Sequence, residues 1–323
     1  MSASQAAPSA EFRGAFARHR PDLLRHCYRM LGSFADAEDL VQDVLLRAWR
    51  ARETYAGEAP LPHWLMRIAT NACINWLARR PSRSLPQLER GPAEPGRPIE
   101  QLEAATWVTP APDTRVLPDP AQAAEAREDV AVAFIALLQR LPPKQRAVLL
   151  LKDVLGWPTE EIAAALELTA SSVSSALHRA RETVAARPRG PIEDPAPLVL
   201  KDYVRAWEAR DLEGLVALLK KDVVFAMPPH ATWFQGADDV RRFLQTPRFA
   251  AFWAKGLLAF STRANGLPAV VWYTPGADGL RRPHSIHLMR FEEDQVAEAI
   301  NFIGAAYLHG FDIPKELDRI SSR

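Results

Sequence analysis

Cysteine is nearly missing from this chain: only Cys27 and Cys73 occur among 323 residues, each inside an apolar helical pattern. Their spacing suits neither a zinc site nor a disulfide framework, so both read as buried free thiols in a reducing compartment. Long apolar runs are missing too; none reaches the roughly 18 residues of a membrane span. The opening "MSASQAAPSAEF" has no basic region followed by an apolar core, so it does not read as a secretion signal. A cytoplasmic protein is expected, with neither metal nor cofactor. Net charge is scarce as well, at +1, which argues against a surface coated in basic residues.

The charge that is present is unevenly spread. Residues 11–85 carry 12 basic against 8 acidic residues, and 130–189 carry 8 against 5. Between them, 86–129 carry 4 against 9, while 190–323 are nearly balanced at 16 against 17. Two mildly basic blocks are thus separated by an acidic segment and followed by a neutral one.

Periodicity gives the blocks a structure. In "DAEDLVQDVLLRAWR", Leu40, Val41, Val44, Leu45 and Ala48 share one helix face, and Asp36, Asp39, Asp43, Arg47 and Arg50 share the opposite one. In "HWLMRIATNACINWLARR" the buried face holds Trp64, Leu65, Ile68, Ala69, Ala72, Cys73, Trp76 and Leu77, with Arg67, Asn71, Asn75 and Arg79 along the flank. Nine prolines between 81 and 120 exclude continuous helix or sheet there. "TWVT" at 106–109 is the apolar exception. Helix returns from 121 to 187, interrupted at Pro142 and Pro143. A second linker follows at 188–196, and 197–323 read as helices followed by an antiparallel meander, with Asn265-Gly266 as a hairpin signal.

Two short helices, "TEEIAAALE" and "ASSVSSALHRAR", have helix-turn-helix order. Val173, Leu177, Ala180 and Val184 form the inner face of the second, and Ser172, Ser175 and Arg179 point outward together. Serines fit against phosphates and base edges in a major groove, and Arg179 and Arg181 can hold backbone. A solvated helical hairpin fits this stretch equally. The acidic stripe of the first block likewise fits a plain solvated face.

The four segments "DAEDLVQDVLLRAW", "WLMRIATNACINWL", "LPPKQRAVLLLKDVLGW" and "EIAAALELTASSVSSALHRAR", in this order, resemble an extracytoplasmic-function (ECF) sigma factor of bacterial RNA polymerase. "YVRAWEARDLEGLVALLKKDVVFAMPP" followed by "FQGADDVRRFL" resembles a SnoaL-like domain. The resemblance implies a multidomain chain: a disordered N-terminus over 1–10, an all-α region 2 domain over 11–85, and a proline-rich linker over 86–120. A four-helix region 4 helix-turn-helix domain over 121–187 and an α+β cone-shaped barrel over 197–323 complete it. It also implies roles. Asp36, Asp39, Gln42, Asp43 and Leu46 would dock on the clamp coiled coil of the polymerase β′ subunit, and region 4 on the β flap. Arg67, Asn71, Asn75 and Arg79 would lie along the melted −10 promoter element, with "ETYAGEAPL" helping to hold a flipped base. Ser171, Ser172, Ser175 and Arg179 would face the duplex −35 element. Trp107 in "TWVTPAP" would be a regulatory linker residue. The chain departs from the family pattern at Pro62 and His63, at Ser174 and His178, and in the missing aromatic of its linker motif.

Three roles are open to the tail: regulation of the sigma core by intramolecular contact, in place of a separate anti-sigma protein; sensing of a small ligand; or catalysis. Candidate cavity residues are His230, His284, His287 and Asn301. His284 and His287 are an odd number apart, so on a regular strand they are expected to face opposite ways. For the whole chain, a stand-alone helix-turn-helix regulator is the rival to a sigma factor.

Overall fold

The computed structural model describes residues 6–55, 57, 59–117, 123–185 and 194–317. The disorder expected over 1–10 lies outside the described residues for 1–5, and the second linker does so for 188–193. In chain order the elements are α1 (Ala6–Leu31), α2 (Phe34–Ala51), α3 (Leu61–Leu77), α4 (Pro86–Glu89), α5 (Asp113–Val116), α6 (Ala123–Val130) and α7 (Val132–Gln139). They continue with α8 (Pro143–Leu149), α9 (Thr159–Leu166), α10 (Ala170–Val184), α11 (Pro197–Ala209), α12 (Leu212–Ala217), β1 (Leu219–Ala226) and β2 (Trp233–Gln235). Last come α13 (Ala237–Leu244), α14 (Pro247–Trp253), β3 (Leu258–Ala264), β4 (Leu267–Pro275), β5 (Arg281–Glu292) and β6 (Gln295–Ile303). The chain forms two compact units that divide between Arg83 and Ser84 and between Val132 and Ala133. The first holds α1–α3 and α7–α10; the second holds the proline-rich segment, α4–α6, and everything from α11 onward.

In the first unit, local chemistry starts and stops each helix. Ser33 caps α2 by accepting from the Asp36 amide at 3.3 Å. Pro60 and Pro62 open α3, and Pro142 and Pro143 end one helix and begin the next, where a missing N–H costs nothing. Leu40, Val41, Val44 and Ala48 of α2 are buried, as are Trp64, Leu65, Ala69, Ala72, Cys73 and Leu77 of α3. Trp76, expected in the core, is only half-buried: the Arg80 guanidinium lies 4.2 Å from its ring centre.

The centre of this unit is polar. Arg146 of α8 is fully buried and donates to the carbonyls of Gln139 and Leu141 at 3.0 Å each, to the Gln139 side-chain oxygen, and to the Met30 carbonyl. Gln139 in turn donates to the Arg29 carbonyl at 3.2 Å. The last carbonyls of α1, which have no partner within their own helix, thus receive a cation and an amide from the second helical block. Gly32 makes this approach possible: it has φ +67°, and a Cβ there would meet Gln139 at 2.9 Å. Burial draws the Arg146 pKa down to about 10, so it stays charged at neutral pH.

The second unit is α+β. Its six strands form one sheet in the order β2-β1-β6-β5-β4-β3, with β1 and β6 parallel and every other pair antiparallel. Tyr203, Trp207, Leu215, Val240, Phe243 and Trp253 from the helices pack on Val223, Phe225, Val270, Trp272 and Met289 of the sheet. Asn265 and Gly266 both have positive φ, +54° and +77°, and close the β3–β4 hairpin as a type I′ turn does.

The proline-rich segment lies along this domain. The Ala93 amide donates to the Trp233 carbonyl at 2.8 Å, and the Ala231 amide donates to the Glu100 carbonyl at 2.9 Å. The Leu102 amide reaches the Pro229 carbonyl at 3.1 Å. Farther on, Asn265 donates its amide to the Ala111 carbonyl at 3.1 Å and accepts from the Ala111 amide at 2.9 Å through its side chain. The Asn265 side-chain nitrogen also donates to the Val130 carbonyl.

Replacing Arg146 by alanine would take the donor from the Met30 and Leu141 carbonyls and the Gln139 side-chain oxygen, while the Gln139 carbonyl would keep the Ser82 hydroxyl. Urea unfolding of Arg146→Ala is expected to show a loss of about 3 kcal/mol in the first unit; unchanged stability would contradict the central place given to this cation.

Candidate functional site

Four of the five residues expected to meet the polymerase lie together in the open. Asp39, Gln42, Asp43 and Leu46 are exposed on α2. Leu46 is 54% exposed and is one of two large apolar side chains so placed among the described residues. Single exposed leucines are common, but this one sits beside Asp39, Gln42 and Asp43 on the same helix. Asp36 stands apart from the group: it is half-buried and paired with Arg83 at 2.5 Å and Arg80 at 3.9 Å.

Arg67, Asn71 and Asn75 are exposed at four-residue steps along α3, and Arg79 is exposed in the turn that follows it. The row is not wholly open. The Asn71 side-chain nitrogen makes a long contact, 3.5 Å, with the Ala165 carbonyl at the end of α9. At the start of α3, His63 stacks on Trp157, with ring centres 4.4 Å apart, and its Nδ1 lies 2.8 Å from Glu161. The unusual His63 therefore joins α3 to the helix-turn-helix. In the loop "ETYAGEAPL", Ala56 and Glu58 lie outside the described residues; Tyr55 packs on Trp64 and donates to the Ala59 carbonyl at 2.6 Å.

On α10 the candidate reading face is exposed. Thr169 caps the helix, accepting from the Ser172 amide at 3.2 Å, and its hydroxyl lies 3.0 Å from Ser171 and 2.8 Å from Ser172. Ser171, Ser172, Ser174, Ser175, His178 and Arg179 all face solvent, over a core of Val173, Ala176 and Ala180. Arg181 is placed differently from Arg179: its Nε and one terminal nitrogen donate to the Asp153 carboxylate, at 3.0 and 2.7 Å. Arg179 makes no ion pair among the described residues.

Trp107 is fully buried within the second unit, and its Nε1 donates to the Pro229 carbonyl at 2.9 Å. Its neighbour Val108 donates to the Ser84 carbonyl at 3.0 Å. The isolated apolar spot in the linker is thus an anchor on the tail.

All four candidate cavity residues of the tail line one cavity of about 230 Å³. This corrects the expectation that His284 and His287 cannot share it. The β4–β5 ladder pairs Trp272 with Ser285 but Tyr273 with Pro283, leaving His284 as an extra residue on β5. Such a bulge breaks the alternation of faces, so an odd separation no longer puts two side chains on opposite sides. His287 and Asn301 are direct cross-strand partners on β5 and β6. Trp207, Phe243, Phe249 and Trp272 supply apolar walls.

Among the described residues no carboxylate lines the cavity. Burial, then the neighbouring His284, lowers the His287 pKa to about 3, so it is neutral at physiological pH. Its Nδ1 lies 3.1 Å from the Tyr203 hydroxyl, itself pushed up by burial. His230 and His284 are lowered too, by burial first and then by Arg248 and Lys255 respectively. Sequence reasoning missed two contributors. Asn265 was legible only as a turn, and Ile99, which also lines the cavity, as one apolar residue among prolines.

Two outcomes follow from these placements. Trp107→Ala should loosen the linker, visible as faster tryptic cleavage after Arg90, Arg97 and Arg115; unchanged cleavage would refute the anchoring. The pH dependence concerns His287 and its counterpart in the first unit, His26, buried 2.9 Å from Thr70 and also lowered to about 3 from 6.5. Between those values the unfolded chain binds protons that the folded chain does not, so stability rises with pH across the window. Each histidine should contribute about 1 kcal/mol per pH unit, and unfolding curves between pH 7 and 4 check this in both units.

Comparison with known proteins gives these surfaces a family. A Sigma-70 region 2 model matches residues 15–83, a Sigma-70 region 4 model matches 131–184, and a SnoaL-like domain model matches 200–299. The ECF RNA polymerase sigma factor SigG of Mycobacterium tuberculosis is 38% identical over 323 aligned residues, spanning 96% of this chain and 87% of that one. SigJ of the same organism is 30% identical over 276 residues, 81% of each chain. The crystal structure of SigJ has the same fold, with a TM-score of 0.59 at 24% identity over 93% of this chain and 99% of that one. Sequence order, full-length relatedness and fold agree, and the chain belongs to the ECF sigma factors, with a SnoaL-like domain at its C-terminal end.

Proposed function

We propose that this protein binds RNA polymerase core in the cytoplasm, directs it to promoters through −10 and −35 contacts, and is regulated by its own SnoaL-like domain in place of a separate anti-sigma factor. The observation that carries the reading is the exposed face of Asp39, Gln42, Asp43 and Leu46 on α2, in a chain of this family. Asp36 supports this face from behind through its pairs with Arg80 and Arg83. The clamp coiled coil of the β′ subunit would take the α2 face and the β flap the region 4 domain, within the boundaries 11–85, 121–187 and 197–323. Arg67, Asn71, Asn75 and Arg79 would follow the melted −10 strand, and Ser171, Ser172, Ser175 and Arg179 the −35 duplex.

Charge supports dependence on the polymerase. Phosphate neutralisation dominates the affinity of proteins that bind DNA unaided, and a net charge of +1 with Arg181 committed to Asp153 leaves little of it. The tail acts as a regulator and not as an enzyme. Its full-length relative is a sigma factor, and among the described residues no carboxylate base faces the histidines of the cavity, all three of which burial draws below the usual imidazole range. Trp107 is the residue through which the tail would hold the linker between the two DNA-binding regions.

Run-off transcription with purified core tests the reading. Asp43→Arg combined with Leu46→Ala should lower core binding at least tenfold with the fold unchanged, and Arg179→Ala should weaken −35-dependent promoters selectively. A chain ending at 188, and Trp107→Ala in the full chain, should both change promoter-dependent output. Identical output from both at every promoter would overturn tail regulation. A specific shift of promoter DNA without core would favour a stand-alone regulator instead.

A further inference from the structure

The walls of the tail cavity are unusually short of hydrogen-bond partners. The Asn301 side-chain oxygen is buried without one, on a residue 8% exposed, and so are the indole nitrogen of Trp272 and Nδ1 of His230. Buried polar groups are nearly always satisfied, so several orphans around one space point to an occupant. Its chemistry can be read from the lining. Trp207, Phe249 and Trp272 offer flat apolar faces, the Asn301 oxygen asks for a donor, and the histidines are neutral. Arg248 at the rim is exposed and makes no ion pair among the described residues, and no carboxylate answers it. A cation is therefore disfavoured. An apolar cavity of roughly 150 Å³ holds one benzene ring; at about 230 Å³ this one has room for two fused rings.

One wall is not part of the SnoaL-like fold. Ile99 comes from the proline-rich linker and packs against the core of the tail. The residues after it pair with the segment carrying His230: Gln101 lies opposite His230 in an antiparallel bridge, flanked by the Ala231–Glu100 and Leu102–Pro229 bonds. Two cavity-lining side chains, Ile99 and His230, thus sit on two hydrogen-bonded strands, one from the linker and one from the tail.

We infer that this cavity is a receptor site for a small, uncharged, hydroxylated aromatic molecule, and that the linker reads its occupancy through Ile99. A bound ring packs against Ile99, its hydroxyl donates to Asn301, and the pairing of 100–102 with 229–231 tightens. The inference deepens the regulatory reading by naming an input for it, yet its test needs no polymerase. The failure of either therefore leaves the other to be judged separately.

The experiment uses the full chain and 2-naphthol as the probe, with 2-naphthylmethylamine as the cationic comparison, by calorimetric titration. Saturable binding of the naphthol is expected, with the amine at least tenfold weaker. Asn301→Leu should weaken naphthol binding about tenfold, and Ile99→Trp, which fills the cavity from the less buried linker side, should abolish it. Hydrogen exchange at the Leu102 and Ala231 amides should slow when naphthol is bound. No saturable binding up to the solubility limit, or equal binding by the amine, would overturn the receptor site. So would unchanged binding in both variants, given melting curves that show each is folded. Binding without slower exchange at the two amides would overturn the role of the linker.

Discussion

A segment with nine prolines in forty residues can pair only part of its backbone with itself, in short turns and the Ser84–Val108 bond, and buried backbone groups left unpaired are costly. The linker meets this constraint by borrowing partners from the tail: Trp233, Pro229, Ala231 and Asn265 take up its amides and carbonyls along its length. Trp107 adds the one large apolar surface and a bond of its own indole to Pro229. Linker and tail are consequently one body, residues 84–132 together with those from 189 on, although the family domains divide them. A regulator built this way needs no separate protein to reach the segment between regions 2 and 4.

Within the helical unit a different economy operates. The region 2 and region 4 helices belong to segments far apart in sequence, joined by Arg146 and Gln139 against the end of α1 and by His63 against Trp157 and Glu161. Polar ties of this kind are specific in direction and weak in area, unlike the apolar contacts that hold α2 on α3. Asn71 lies at the seam. Its long contact with the Ala165 carbonyl ties the polar row that begins on α3 to the end of α9.

Much of this was legible in the residues. Periods of 3.6 and 2 gave the helices and the strands of the meander, and the Asn265-Gly266 pair gave its first hairpin. Four ordered motifs gave the family, and the outward serines of α10 were correctly read as exposed. What escaped has a common physical cause. Arg146 looks like one more basic residue in "PPKQRAVLL", since nothing local announces that it also reaches the Met30 carbonyl, more than a hundred residues earlier. Asn265 satisfied a turn rule and so concealed its second task of holding the linker. The His284 parity argument was sound for a regular strand and failed on one inserted residue. Asp36 carries the same charge as its neighbours on the stripe, but its position one turn earlier puts it within reach of Arg83. Periodic signals report which face is buried; side-chain bonds to distant backbone leave no period at all.

The division of the chain also sets an order of events on the ribosome. Every residue of the helical unit has been made by the end of α10, but the linker that interrupts it has by then no tail to lie on. At about 5–20 residues per second, the final strands of the sheet follow roughly 6–25 s later. During that interval the side chains of Trp107, Val108, Ala111 and Val116, each fully buried in the finished protein, lack the strands that cover them. A nascent chain of this design is a complete helical unit whose two halves are joined by an unclaimed tether, and its last hundred residues are what bring that state to an end.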